Sequence, residues 1–297
     1  MRPFIILPLY LLCLSFLVSC KSGHTAAKTK GYFLTDSLYS KVLGEMRYYD
    51  WYEPVSARPQ PPTGVLVVLD GQALLGNTVE SVKALATEAG LTELNNWVIL
   101  GVGNIWTRDR DYTPSRQLQV PHMDSMSAAH TGGVFAFLQF MEQELMPVIN
   151  RRYPQLKHRV LLGHSFGGLA VLECFVRKAE LFTHYIAADP SLWWPAYEPV
   201  ITPQLLKQQS NNRSLYMAVA NVADHTARFD QLLADSTGAY PLQQPGVRVL
   251  NSLQKQTAGQ RWFQGRFFAN HDHQSIVQPA CSEALRLFLK KENNQQP

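Results

Sequence analysis

Residues Gly163-His164-Ser165-Phe166-Gly167-Gly168 follow the apolar run Val160-Leu161-Leu162 and lead into Leu169-Ala170-Val171-Leu172-Glu173-Cys174-Phe175. The first run reads as a buried strand and the last as a packed helix, which puts a serine on the sharp turn between them. Glycines around that turn let chain segments pass close together. A serine held there in a strained backbone conformation presents its hydroxyl outward. Strand, G-x-S-x-G turn and helix together are the signature of a nucleophile elbow. The plainer alternative is a glycine-rich turn with an incidental serine, and the strand and helix on either side favour the nucleophile.

Buried strands and helical patterns continue in both directions from the elbow. Residues 65–69 and 97–102 precede it as continuous apolar runs, while 185–188, 215–220 and 262–269 follow it. Such runs suit strands buried on both faces. Helical periodicity falls at about 79–89, 133–152 and 277–289. Residues 31–54 alternate polar and apolar side chains and read as an antiparallel hairpin. The order specifies one α/β domain, a doubly wound, mostly parallel sheet with an antiparallel N-terminal edge. Reactive groups gather at the carboxyl ends of strands in such sheets. Gly71, Asn104, Ser165, Asp189, Asp224 and His273 all fall at predicted strand ends.

The chain has 297 residues, 46% hydrophobic and 17% charged, an ordinary globular composition. Its start differs: Arg2 precedes an uncharged run over 4–18, short for a membrane span and suited to a signal peptide. The run ends in Leu17-Val18-Ser19-Cys20, which resembles the lipobox of bacterial lipoproteins. Residues 1–19 are therefore expected to be a cleaved signal peptide and Cys20 to be lipidated; an ordinary signal peptide or an uncleaved anchor are the alternatives. Residues 20–30 read as a flexible tether, 31–290 as the working domain and 291–297 as a frayed tail. The expected location is periplasmic or outer-membrane associated, with the lipid as the only membrane contact. Loss of residues 1–19 removes one arginine and no acid, so the net charge falls from +4 to +3. That excess is too small and scattered to point to nucleic acid.

A serine hydroxyl needs a histidine to take its proton and a carboxylate to hold that imidazole. In elbow hydrolases the order is serine, acid, histidine. His273, in His271-Asp272-His273 after the last long strand, stands where the base belongs, whereas His184 precedes a buried strand and reads as a surface residue. The HxH pair could begin a metal site, but no further ligand cluster accompanies it, so neither metal nor organic cofactor is expected. Asp224 is the first carboxylate after the 215–220 strand and the expected orienting acid, with a helix cap as its alternative; Asp230 reads as a solvated helix residue. The amides of Phe166 and Gln72 are the expected oxyanion donors, with Gly71 making the turn possible. Trp193, Trp194 and Tyr197 offer either an apolar wall for an acyl or aryl group or loop packing. Arg108, Arg110 and Asp111 are expected to brace their loop with ion pairs, although one arginine could meet a substrate carboxylate.

These residues resemble the esterase D and enterochelin esterase-like group of α/β-hydrolases. The matching pieces are Ser40-Lys41-Val42-Leu43-Gly44-Glu45, Leu69-Asp70-Gly71-Gln72, Arg110-Asp111-Tyr112-Thr113-Pro114, the elbow, Asp189-Pro190-Ser191-Leu192-Trp193-Trp194 and Asp272-His273-Gln274-Ser275. The resemblance implies Ser165 as nucleophile, His273 as base, and cleavage of a carboxylic ester in a small-molecule substrate through an acyl-enzyme. A siderophore lactone, an acylated or feruloylated carbohydrate, and a simple acyl ester all remain open. Two departures stand out: Gln274 replaces the glycine common in the group, and Ala223 falls where a glutamate is often found. Either Asp224 substitutes from the next position, or a Ser-His dyad operates. The implied sheet order places Cys174 and Cys281 on opposite faces, too far apart for a disulfide. The rival from another class is a non-catalytic lipoprotein that binds a glycan or siderophore.

Overall fold

The computed structural model describes residues 30–55, 60–88, 90–104, 106–121, 123–208, 213–222, 227–258, 260 and 262–293. The expected signal peptide, Cys20, most of the tether and Asp224 lie outside the described residues.

Its strands are β1 (Lys30–Ser40), β2 (Glu45–Val55), β3 (Gly64–Val68), β4 (Trp97–Val102), β5 (His158–His164), β6 (His184–Ala188), β7 (Ser214–Ala220) and β8 (Phe263–Phe268). They form one sheet in the order β1-β2-β4-β3-β5-β6-β7-β8. The hairpin β1-β2 joins β4 antiparallel, and every pairing from β4 onward is parallel. This is the expected doubly wound sheet with its antiparallel edge.

The helices are α1 (Gly71–Leu85), α2 (Arg108–Tyr112), α3 (Ser125–Ala129), α4 (Val134–Phe140), α5 (Met146–Arg152), α6 (Phe166–Arg177), α7 (Glu198–Leu206), α8 (Phe229–Ala234), α9 (Gln244–Gln256) and α10 (Val277–Asn293). A π-helical turn, Met141–Leu145, joins α4 to α5, so the segment predicted at 133–152 is continuous but irregular. Successive strand residues point to opposite faces, and the central strands divide their apolar runs between two cores. Val65, Val67, Leu161 and Met217 pack with α4, α6 and α9 on one side. Leu66, Val68, Leu162 and Tyr216 pack with α1 and α10 on the other. Cys174 of α6 and Cys281 of α10 fall in different cores and are free thiols, as the sheet order implied. Burial pushes the Cys281 thiol up to about 12.

Two differences from the sequence reading concern helix ends and short helices. Helix α1 begins at Gly71, well before the predicted 79, because Asp70 takes a left-handed conformation (φ 55°) that turns the chain directly out of β3. Gly71 then lies against β4: a Cβ there would stand 2.4 Å from the Gly101 carbonyl carbon. No element was anticipated over α7, where Pro199 and Pro203 interrupt the sequence signal, or over α9, whose Pro245 stands in the first turn. Prolines in a first turn fit a helix, since the amide they lack has no intrahelical partner; Pro203 lies inside α7.

The loop from β4 to α2 is tied down by buried charge. Asp111, fully buried, accepts hydrogen bonds from Arg47 Nη1 (2.7 Å), Asn104 Nδ2 (2.6 Å), Thr107 Oγ1 (2.7 Å) and Arg110 Nε (2.8 Å). Arg110 also reaches Glu45 on β2 at 2.6 Å. Removing Asp111 leaves the buried Arg47 guanidinium without its main counter-charge. Asp111→Ala is therefore expected to lower unfolding free energy by about 3–5 kcal/mol, read from urea denaturation.

Candidate active site

Ser165 follows the last residue of β5 and precedes the first of α6, with φ 59° and ψ −120°. A non-glycine residue there stores roughly 1–3 kcal/mol of backbone strain, held in place by what surrounds it. The surroundings are tight. A Cβ on Gly163 would sit 2.2 Å from the Gly167 carbonyl oxygen, and one on Gly168 would sit 2.8 Å from Pro190 Cα. These glycines let the strand, the helix start and the loop after β6 close around the serine. The elbow expected from the sequence is thus present, with its serine on the boundary of two cavities.

His273 lies in the turn between β8 and α10. Its Nδ1 donates to Asp189 Oδ2 at 2.6 Å, which leaves Nε2 as the acceptor nitrogen. Asp189 sits at the carboxyl end of β6 with φ 43°, and the Ala220 amide donates to its other oxygen at 2.9 Å. The carboxylate on the imidazole is therefore Asp189, where the sequence pointed to Asp224. The physical reason is strand adjacency: β6 lies beside β5, so its end is one strand from the elbow, and its left-handed turn carries the carboxylate toward His273. Asp189 was legible as a strand-end residue within a family motif; its pairing was not.

His273 is also held through its backbone. His164 Nε2 donates to the His273 carbonyl at 2.6 Å, and the Asn221 amide donates to the His271 carbonyl at 2.8 Å. Asp272 caps the turn by accepting from the Gln274 and Ser275 amides at 3.0 and 2.8 Å.

One cavity, about 270 Å³, is lined by Asp70, Gln72, Arg108 and His164 together with Ser165 and His273. The other, about 260 Å³, is lined by Ser191, Trp193, Val222 and Leu242 together with the same serine and histidine. The site is polar on one side and largely apolar on the other. Gln72 and Phe166 stand in the first turns of α1 and α6, where amides have no intrahelical acceptor. Gln72 also lines the first cavity beside Ser165. Gly71 is present as expected, but the unusual backbone belongs to Asp70 and Gly71 serves the close approach to β4. Of the three aromatics, Trp193 lines the apolar cavity. Trp194 is buried, donates from Nε1 to Ser115 Oγ at 3.0 Å and packs edge-on against Phe166, while Tyr197 is buried in the same core.

In the wall of the polar cavity Arg108 Nε donates to Asp70 Oδ1 at 3.3 Å, and the Arg108 guanidinium lies 5.3 Å from the Phe166 ring centre. Burial pushes the Asp70 carboxyl above its ordinary range, with Arg108 pulling it back.

This sheet order, with an elbow serine beside an imidazole held by a carboxylate, defines an α/β-hydrolase. More narrowly, the chain belongs to the family described as "Putative esterase", which matches residues 40–274. Among curated relatives it is 33% identical over 161 residues to the ferri-bacillibactin esterase BesA of Bacillus subtilis, covering 50% of this chain and 56% of that protein. It is 28% identical over 280 residues to the siderophore enterobactin esterase of Emericella nidulans, covering 80% of this chain and 86% of that one. The Bacillus match thus spans little more than half that relative's length. Among solved structures, an IroE-like serine hydrolase from Shewanella oneidensis superposes with a TM-score of 0.74 at 27% identity, covering 87% of this chain and 80% of that one.

Burial first, and then the charge of His273, pushes the His164 imidazole down to about 4, against an opposing pull from Asp189. An unfolded histidine titrates near 6.5. On acidification the unfolded chain therefore takes up the proton first, and stability is lost as pH falls from about 6.5 through 4. The loss from this group is about 3 kcal/mol once both states are protonated. His164→Gln, which keeps a donor but does not titrate, is expected to flatten the acid limb by that amount when urea stability is measured against pH.

Proposed function

We propose that this protein is a serine esterase that opens ester bonds of a siderophore through an acyl-enzyme. The observation that carries the reading is the 2.6 Å bond from His273 Nδ1 to Asp189, beside a strained elbow serine that shares two cavities with that histidine. The siderophore class is supported by relatives named for such substrates.

The steps follow from the groups in place. Ser165 Oγ adds to the ester carbonyl as its proton passes to His273 Nε2. Asp189 keeps Nδ1 protonated and balances the imidazolium that forms. The carbonyl oxygen, now an oxyanion, meets the Phe166 and Gln72 amides. Collapse expels the alcohol oxygen, which takes the proton from His273 and leaves Ser165 acylated. Water then adds to the acyl carbon, giving its proton to His273, and collapse returns that proton to Ser165 as the acid departs.

Hydrolysis of p-nitrophenyl esters and of a panel of ferric siderophores, followed chromatographically, tests this reading. Ser165→Ala is expected to abolish turnover and fluorophosphonate labelling; serine-independent turnover would overturn it. Asp189→Asn is expected to lower kcat by about 10²- to 10⁴-fold, as loss of an orienting carboxylate does. Asp224→Asn should leave kcat near wild type.

We also propose that the protein is exported and lipidated at Cys20. The uncharged run over 4–18 and the Leu17-Val18-Ser19-Cys20 segment support this. Cys20→Ala is expected to move the protein from the membrane fraction to the soluble fraction, read by immunoblot.

A further inference from the structure

Ser191 stands beside the nucleophile, and the mechanism above gives it no task. Its Oγ lies 3.1 Å from Ser165 Oγ, and its amide donates to the Ser165 carbonyl at 3.2 Å. The residue is 2% exposed, yet it lines the apolar cavity beside Ser165 and His273. Among the described residues, Ser165 Oγ is the hydrogen-bond partner of its hydroxyl.

The position of that hydroxyl is fixed from several directions. Asp189, two residues earlier, is anchored by its own amide to the Ala218 carbonyl at 2.8 Å and by the Ala220 amide to its side chain. Pro190 packs against Gly168 with no room for a Cβ. The Ser191 carbonyl accepts from the Trp194 amide at 2.9 Å. One short segment therefore touches both reacting partners, with Asp189 on the imidazole and Ser191 on the serine oxygen.

A serine oxygen carries one proton and two lone pairs. The proton is needed for His273, so a neighbouring hydroxyl serves catalysis by donating to a lone pair. We propose that Ser191 is a further catalytic residue, whose O–H donates to Ser165 Oγ and stabilises the negative charge that develops on it. The inference rests on Ser165 being the nucleophile. During acylation, Ser165 Oγ loses its proton to His273 while forming the bond to the carbonyl carbon, and the Ser191 donor eases that transfer. During deacylation, the bond between the acyl carbon and Ser165 Oγ breaks. The electron pair returns to Oγ, which Ser191 stabilises until His273 reprotonates it. Ser191 keeps its own proton throughout, so both half-reactions gain. The reverse polarity, with Ser165 donating to Ser191, would hold the nucleophile away from its base and slow the enzyme.

The two polarities predict opposite signs. The second-order rate of fluorophosphonate labelling and kcat/KM for p-nitrophenyl acetate are to be measured for wild type, Ser191→Ala and Ser191→Thr, with thermal melts to show that each is folded. Loss of a donor to developing negative charge costs about 10²- to 10³-fold at an oxyanion. For a donor to the nucleophile itself, Ser191→Ala is expected to lose about 10- to 100-fold in both rates with KM unchanged, by analogy with that case. Ser191→Thr, which keeps the hydroxyl, should recover most of the loss. Equal or faster labelling of Ser191→Ala, with wild type labelled normally, overturns the role of Ser191 and leaves the esterase intact. Failure to label wild type overturns the nucleophile reading and this inference with it.

Discussion

The backbone of Ser165 is the constraint on which the rest of the site depends. At φ 59° and ψ −120° it cannot relax without moving β5 or α6, and both are buried in the two cores. The close contacts of Gly163 with Gly167 and of Gly168 with Pro190 transmit that constraint to the neighbouring loop. Non-glycine residues with positive φ recur at the ends of neighbouring strands: Asp70 after β3, Ser165 after β5 and Asp189 after β6. Each directs a polar side chain out of the sheet and into the same region. The strain at each is small beside the apolar burial of the strands, where one fully buried aliphatic side chain contributes about 1.5–3 kcal/mol.

Charge is distributed to suit this geometry. Asp189 has one oxygen on a backbone amide and one on His273, so it faces the imidazole in a single orientation. His164, buried and pushed down to about 4, supplies a donor to the His273 carbonyl while staying uncharged at neutral pH. On the far side of Ser165, Arg108 offsets the Asp70 carboxyl, and the loop that carries Arg108 is fixed by the buried Asp111 network. Asp111 and Arg110 brace that loop, as expected. The polar and apolar halves of the site meet at Ser165 and His273, an arrangement that suits a substrate whose two ends differ in polarity.

Much of this was legible in the linear chain. The β3, β4 and β7 runs are apolar in both pleat directions, and the elbow carries a fixed glycine spacing, so strands and elbow could be placed without coordinates. The position of His273 was legible too, since it lies in the turn before the final helix. Trp194 and Tyr197 could not be separated from Trp193, since an aromatic near a strand end looks the same whether it lines a cavity or fills a core. Helix α7 was missed where Pro199 and Pro203 interrupt the periodicity, and α9 was missed although its proline stands only in the first turn.

The sequence by itself determined the class of fold, the elbow that carries Ser165, the turn that carries His273 and the faces on which the cysteines lie, because these rest on local pattern and on chain order. Only the tertiary structure decided which carboxylate meets His273 and which hydroxyl meets Ser165. Residues 84 positions apart, Asp189 and His273, come within 2.6 Å because β6, β7 and β8 lie side by side and end at one edge. Ser191 is set against Ser165 by the packing of Pro190 on Gly168. Contacts across strands depend on sheet order and on the direction of a few turn residues, which no short window of sequence contains.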